Sequence, residues 1–197
     1  MEILFIRHGE SEADILNVHE GRADYSLTKL GTSQAKCLAE YLKKEKEIDV
    51  IWSSTLKRAK ETATILGEYL NCKVIYDDNL KERDNGILAG KPITEENKDS
   101  HYTLKPFECI EEGETDLDFR ARAESVLLRI LDMYKDSNRI AIVSHGGMIE
   151  KLIHSMLKLP TVPNAYFYTN DTGVHSLEYH KDYTIIKYLN KTDHLLI

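Results

Sequence analysis

Residues 4–14 read LFIRHGESEAD, and this stretch indicates how the fold begins. A short apolar run leads directly into Arg7, His8 and Gly9. A run of this length, rich in branched and aromatic residues, is typical of a buried strand. Its polar end allows two interpretations: accidental polarity where a strand meets solvent, or a cation placed beside a nucleophilic imidazole. The features that follow along the chain bear on that choice.

The composition is that of an ordinary globular protein, with 42% hydrophobic and 8% aromatic residues among 197. This length suits one domain over residues 1–197, with room for an insertion. The net charge of −7 argues against nucleic acid or an anionic membrane as the partner, because both favour basic surfaces. No apolar run approaches the roughly 18 residues of a membrane span.

The three cysteines are widely spaced and form no C-x-x-C pair. They indicate reduced thiols, and they favour neither a disulfide framework nor a zinc site. The opening residues MEILFI lack the basic leader and the long apolar core of a signal peptide. We therefore expect a cytoplasmic protein.

Alternating strand-like and helical segments predict an α/β fold. The predicted strands are Ile3–Ile6, Val50–Trp52, Lys73–Tyr76, Ile140–Val143, Gly173–Tyr179 and Thr184–Leu189. Helical periodicity predicts helices at Thr32–Lys44, Leu56–Leu70, Leu117–Tyr134 and Met148–Leu157. This order predicts a three-layer α/β/α sandwich around a mostly parallel sheet. A short connection containing His180, Lys181 and Asp182 joins the last two strands, which predicts a hairpin and so a mixed sheet.

Residues 83–116 are rich in glycine and proline and predict a lid-like insertion on the sheet. Between Lys91 and Asp118 nine acidic residues face three lysines. One hypothesis is that this acidic lid disfavours polyanions and favours a monophosphate ester with a neutral or cationic remainder. The alternative is that the acids form only the solvated outer face of the lid.

Candidate chemistry lies where strands end, because ligands of open α/β sheets bind beyond the carboxyl ends of strands. Two predicted strands end in His-Gly, at His8 and at His145. A third ends in residues 53–55 (Ser-Ser-Thr), which is typical of a helix N-cap, with Arg58 in the first turn. An arginine there opposes the helix dipole, so it indicates an anionic ligand. Each feature alone is weak, and the joint occurrence indicates a site.

This ordered set resembles the histidine phosphatase superfamily, also called the phosphoglycerate mutase-like superfamily, and in particular its phosphatase branch. The matching blocks are Arg7–Ser11, Ser53–Ala59 with Thr62 and Ala63, Leu80–Arg83 with Gly86 and Gly90, Ser144–Gly147, and Asn190–Leu195. The resemblance implies a phosphoglycerate mutase-like fold. It also implies a phosphatase that acts on a small phosphorylated metabolite without a metal or another cofactor.

The resemblance also implies roles for five catalytic residues. His8 would be the nucleophile and form a phosphohistidine. Glu82 would protonate the leaving oxygen and then accept a proton from water. Arg7, Arg58 and His145 would bind the phosphoryl oxygens, which guanidinium groups match with paired hydrogen bonds.

Further residues are expected around the phosphate. Gly9 would leave room for it, since glycine carries no Cβ. The substrate-binding set implied by the resemblance also includes Gly21 and Gly146. Many family members carry asparagine where this chain has Asp14, and an ionised carboxylate repels phosphate unless a cation pairs with it. Asn17 lies about one helical turn further on and is an alternative ligand.

Three alternatives to a phosphatase follow from the same residues. A mutase-type phosphotransferase usually has longer insertions, and the region between Gly90 and Leu117 is short. A weakly active binding protein on the same fold is suggested by Asp14 alone. Metal binding by His8 and His145 is disfavoured because both are grouped with arginines and no H-x-x-x-H pair occurs. The oligomeric state is left open.

Overall fold

The computed structural model describes residues 1–100, 103–161 and 165–196. Its strands are β1 (Glu2–Arg7), β2 (Val50–Ser54), β3 (Val74–Asp77), β4 (Arg139–Ser144), β5 (Val174–Tyr179) and β6 (Thr184–Lys191). Its α-helices are α1 (Glu12–Leu16), α2 (Lys29–Leu42), α3 (Lys57–Leu70), α4 (Asp116–Met133) and α5 (Gly146–Met156). The six predicted strands and the four predicted helices all occur, with ends displaced by at most three residues.

The six strands form one sheet in the order β3-β2-β4-β1-β5-β6. The first four strands are mutually parallel, whereas β5 and β6 pair antiparallel at one edge. The predicted hairpin and the mixed sheet are therefore confirmed. In the register of β1 with β4, Arg7 lies opposite Ser144. The residues that follow these two strands are consequently neighbours.

Helices cover both faces of the sheet, which confirms the three-layer sandwich. Ile3 and Phe5 of β1 lie in the hydrophobic cluster that α4 and α5 complete. Leu4 and Ile6 lie in the cluster that α2 and α3 complete. All four side chains are fully buried. An apolar run without alternation is what a central strand needs when both faces are covered.

Two local features differ from the predictions. The helix α1 is five residues long, too short for a hydrophobic period, and it begins with a capping box between Ser11 and Asp14. The N-cap of α3 is Leu56, so the prediction that residues 53–55 cap it was wrong. The hydroxyl of Ser54 instead contacts His145 at 2.8 Å and accepts from the Leu56 amide at 3.3 Å.

The described part of residues 83–116 contains a 3-10 turn at Gly86–Leu88 and otherwise loops, up to Asp116, which begins α4. Two of its residues, His101 and Tyr102, lie outside the described residues. Gly86 has a φ of +49°, and a Cβ there would lie 1.9 Å from the carbonyl oxygen of Glu111. The glycine thus lets two stretches of this segment touch. In the described ranges, no helix has the length and apolar character that crossing a membrane requires.

Candidate active site

The five predicted catalytic residues meet at the carboxyl edge of the parallel strands. Arg7 ends β1 and His8 follows it, while His145 follows β4. The two imidazole ring centroids are 5.1 Å apart. Arg58 is the second residue of α3, and Glu82 follows the 3-10 turn after β3. The strand ends that the sequence singled out are therefore brought together.

His8 is held with one ring nitrogen ready to react. Its Nδ1 lies 2.7 Å from the carbonyl oxygen of Gly9, so Nδ1 carries the proton and donates it there. Nε2 is then unprotonated, and it accepts a hydrogen bond of 3.1 Å from Nε of Arg58. Burial, together with the charges of Arg58 and Arg7, holds the pKa of His8 well below its usual value. The ring is neutral near pH 7, as a nucleophile must be.

The site contains buried polar atoms that have no partner among the described residues. These are Nε of Arg7 and Nδ1 of His145. The terminal nitrogens of Arg7 are engaged, one by the carbonyl oxygen of Thr169 at 2.9 Å and one by Asp171 at 3.3 Å. Buried donors normally have acceptors, so two unpartnered nitrogens in the site that contains His8 fit an anion with several oxygens.

A hydrogen bond to Ser54 determines which nitrogen of His145 is left without a partner. Its Nε2 lies 2.8 Å from the hydroxyl of Ser54. Burial, then the charge of Arg58, holds the pKa of His145 well below its usual value. When Ser54 donates to Nε2, the proton sits on Nδ1 and is available to a phosphoryl oxygen. The role of Ser54 in orienting this ring is not readable from the sequence, where the serines resemble a helix cap.

Glu82 is fixed by the backbone at the start of α5. One carboxyl oxygen accepts from the Gly147 amide at 2.9 Å, and the other accepts from the amide of Arg83 at 2.8 Å. Burial raises the pKa of Glu82 against the opposing effect of these two bonds. A Cβ on Gly147 would lie 2.6 Å from this carboxyl. Gly147 is therefore needed for the position of Glu82.

Arg122, on α4, supports the loop that carries Glu82. It donates to the carbonyl oxygens of Asn79 at 2.9 Å, Lys81 at 2.8 Å and Glu82 at 3.2 Å. It also pairs with Glu114. This residue could not be predicted from the sequence, because an arginine within a helix is usually a solvated charge.

Two carboxylates, and not one, lie beside the nucleophile. The carboxylate of Asp14 accepts from the hydroxyl of Ser11 at 2.9 Å and lies 3.9 Å from Arg7. That contact is the cation pairing which a carboxylate at this position requires. Glu20, which the sequence did not single out, accepts from the same hydroxyl at 2.6 Å. It lies 3.8 Å from Nε2 of His8 and 3.6 Å from Nε of Arg58.

The glycines and Asn17 occupy different places. Gly21 lines the cleft in the left-handed region, with a φ of +46°, and its carbonyl oxygen accepts from Arg58 at 2.9 Å. Gly146 begins α5, and a Cβ there would meet nothing within 4 Å. Asn17 ends α1 as an exposed left-handed residue and is not among the residues that line the cleft. The structure therefore does not bring Asn17 to the site.

The packing of α2 requires a glycine at position 9. A Cβ on Gly9 would lie 2.5 Å from the carbonyl oxygen of Gly31. That Gly9 also leaves room for the phosphate stays a prediction.

A cleft of about 810 Å³ opens in front of the site. From the lid it is lined by Ile93, Lys98, Leu104, Lys105 and Pro106, and from α4 by Asp116 and Phe119. Of the nine acids between Lys91 and Asp118, Asp116 is the one that lines the cleft in the described structure. The acidic lid does not present its charge inward, so the substrate hypothesis based on it loses its structural basis.

Fold and site together define a phosphatase of the histidine type. The family model for the histidine phosphatase superfamily, branch 1, matches residues 3–192. The chain belongs to this superfamily, as its motifs predict.

Relatives and solved structures agree with this placement. The Bacillus subtilis protein named uncharacterized phosphatase PhoE is 34% identical over 152 residues, which cover 77% of this chain and 75% of that protein. The broad-specificity phosphatase YOR283W of Saccharomyces cerevisiae is 30% identical over 209 residues, covering 99% and 87%. An α-ribazole phosphatase structure from Shigella flexneri superposes with a TM-score of 0.87 at 25% identity, covering 98% and 97%. Matching relatives also include proteins named for phosphoglycerate mutase.

Proposed function

We propose that this protein is a metal-independent phosphomonoesterase that hydrolyses a small phosphate ester through a phosphohistidine on His8. The observation that carries the proposal is the state of that imidazole. Its Nδ1 proton is committed to Gly9, and its neutral Nε2 faces Arg58. The orphaned Arg7 Nε and His145 Nδ1 belong to the same site. The reacting nitrogen thus has phosphate-binding donors around it.

In the first step the lone pair of His8 Nε2 attacks phosphorus, and the bond from phosphorus to the alcohol oxygen breaks. That oxygen takes the proton of Glu82, whose raised pKa favours the protonated acid before the reaction. Arg7, Arg58 and His145 hold the phosphoryl oxygens, which is most of what catalysis of phosphoryl transfer requires.

In the second step water attacks the phosphorus of the phosphohistidine and gives its proton to the Glu82 carboxylate. The bond from Nε2 to phosphorus breaks, and inorganic phosphate leaves. His8 and the protonated Glu82 are restored, so the cycle is balanced without any other reactant.

The test is phosphate release from p-nitrophenyl phosphate in EDTA by the wild type, His8→Ala and His180→Ala. His180 lies in the β5–β6 turn, away from the cleft, and controls for the loss of a histidine. We expect a loss of about a thousandfold or more in the first variant and none in the second. Brief incubation with ³²P-labelled ester should label the wild type with an acid-labile, base-stable phosphate. Activity that survives in His8→Ala, or that needs a divalent ion, contradicts the mechanism.

The reaction product distinguishes the proposed phosphatase from a mutase. With 3-phosphoglycerate as substrate, a phosphatase releases inorganic phosphate and glycerate, whereas a mutase yields the 2-phospho isomer. Accumulation of the isomer ahead of phosphate would contradict the proposal.

A further inference from the structure

One carboxyl group in the cleft has no hydrogen-bond donor among the described residues. Glu150 lies in the second turn of α5 and lines the cleft, and its side chain is only 16% exposed. The nearest side-chain nitrogen that could pair with it is Nε2 of His154 at 3.7 Å. That nitrogen already donates to the carbonyl oxygen of Ala165 at 3.0 Å. Burial raises the pKa of Glu150 to about 7, so about half of the molecules carry the charge at neutral pH.

The other charged groups of the cleft wall are already paired. Asp116 lies 2.8 Å from Lys151 and 3.7 Å from Arg83. Lys98 pairs with Glu95, and Lys105 lies 3.6 Å from Glu108. Glu150 is therefore the lining carboxyl, within the described ranges, that is left for a group outside the protein.

The position of Glu150 is on the leaving-group side. It stands three residues after Gly147, whose amide holds the Glu82 carboxyl at 2.9 Å. Residues three apart on a helix are neighbours, about 5–6 Å between Cβ atoms. Glu82 and Glu150 line the same cleft, and the charge of Glu82 acts on Glu150. Because Glu82 would deliver its proton to the leaving oxygen, we infer that Glu150 lies beside the part of the ester beyond that oxygen. An acid early in a helix also stabilises the helix dipole, but this does not require it to line the cleft.

We propose that Glu150 binds a cationic amino group of the leaving alcohol, which makes the substrate a phosphate ester of an amino alcohol. This inference rests on the proposed phosphatase function and adds the substrate class. An ammonium group forms a charge-assisted hydrogen bond with a carboxylate, which satisfies the unpaired group. An alcohol without the amine leaves a mostly buried carboxyl unpaired, and binding is weaker for that reason.

The test compares ethanolamine phosphate with 2-hydroxyethyl phosphate, which differ only in an ammonium against a hydroxyl group. We expect the wild type to favour the amine by about tenfold or more in kcat/KM, and Glu150→Gln to lower this ratio about tenfold. Glu40→Gln removes the same charge from the exposed side of α2 and should leave the ratio unchanged. Ethanolamine should also inhibit the wild type competitively, and ethylene glycol should not.

The outcomes separate the two proposals. An equal rate on both esters in the wild type, or a ratio that Glu150→Gln does not change, overturns the role of Glu150 and leaves the phosphatase intact. No turnover of either ester or of p-nitrophenyl phosphate overturns the phosphatase, and the substrate class falls with it. The inhibition experiment uses the wild type alone, so it tests the role of Glu150 even where the variant fails to fold. Ethanolamine that inhibits no better than ethylene glycol overturns that role.

Discussion

Nε of Arg58 donates a hydrogen bond of 3.1 Å to Nε2 of His8, while carbonyl oxygens hold both terminal nitrogens of the same guanidinium. Those carbonyls belong to Gly21 and Ala23, at 2.9 and 2.8 Å. The arginine is fully buried at the start of α3. It thereby joins the nucleophile to the loop that follows α1. Arg58 therefore has three roles. It holds the loop after α1, its charge lowers the pKa of His8, and in the proposed reaction it binds the phosphoryl oxygens.

Arg58→Lys keeps the positive charge but removes the planar guanidinium group with its three donor nitrogens. We expect kcat/KM to fall about a hundredfold or more, because one ammonium group cannot replace three directed donors in a buried site. Arg129→Lys is the matched control, since that arginine is 48% exposed, pairs with Asp77 and is not among the residues that line the cleft. Steady-state kinetics on p-nitrophenyl phosphate measures both. A loss below threefold for Arg58→Lys would show that charge alone suffices.

Glu82→Gln should reveal general acid catalysis through the leaving group. An amide cannot deliver a proton, so kcat for an alkyl phosphate should fall by about 10²–10⁴. For p-nitrophenyl phosphate, whose leaving group needs no proton, the first step should be nearly unaffected. The measurement is the burst of p-nitrophenol followed by steady-state phosphate release for each ester. Equal losses of the first step for both esters would contradict a proton-donating role.

The strands were predictable because β1 and β4 are buried on both faces, and such strands appear in the sequence as plain apolar runs. The catalytic residues were predictable for a related reason: the chemistry follows strand ends, where parallel pairing brings His8 and His145 together. Register alone makes neighbours of residues 137 positions apart in the chain.

The site residues that could not be predicted from the sequence are those whose role depends on the direction of a side chain. Glu20 and Ser54 are ordinary polar residues until the loop after α1 and the end of β2 are placed against His8 and His145. Gly9 and Gly147 were visible as glycines, but the atoms that require them, on Gly31 and Glu82, are distant in the chain. Whether the lid charges point into the cleft or toward solvent likewise depends on loop geometry. Loops have no hydrophobic period from which the buried face could be predicted.

Glu20→Gln should tighten phosphate binding. The carboxylate lies 3.8 Å from the nitrogen that attacks phosphorus, so it repels a phosphate dianion at close range. We expect the inhibition constant of inorganic phosphate, and KM for esters, to fall about tenfold, which is well within the Coulomb energy of unit charges about 4 Å apart near a protein surface.

Glu68→Gln makes the same charge change on the exposed side of α3 and is the control for net charge. Product inhibition by phosphate in the two variants gives the comparison. Weaker binding in Glu20→Gln would mean that Glu20 holds the site together through Ser11 and Arg58 and does not compete with the substrate.

The preference for amino alcohol esters should depend on pH through Glu150. Its pKa of about 7 means that the carboxyl is mostly neutral at pH 6 and mostly ionised at pH 8. An ammonium group is bound by the ionised form, so the ratio of kcat/KM for ethanolamine phosphate over 2-hydroxyethyl phosphate should rise through this interval.

The groups packed around Glu150 enter this expectation. Burial is the largest cause of its raised pKa, Lys151 lowers the pKa, and Asp116 and Glu82 raise it further. Burial lowers the pKa of His154, which favours its neutral ring, and Nε2 of that ring already donates to the carbonyl oxygen of Ala165. Ionisation of Glu82 affects both esters and cancels in the ratio, whereas the phosphate pKa of each ester is measured separately and its effect is divided out. We therefore expect about a tenfold rise from pH 6 to pH 8 in the wild type and a flat profile in Glu150→Gln. A ratio that falls with rising pH would mean that the protonated acid is the form that binds the leaving group.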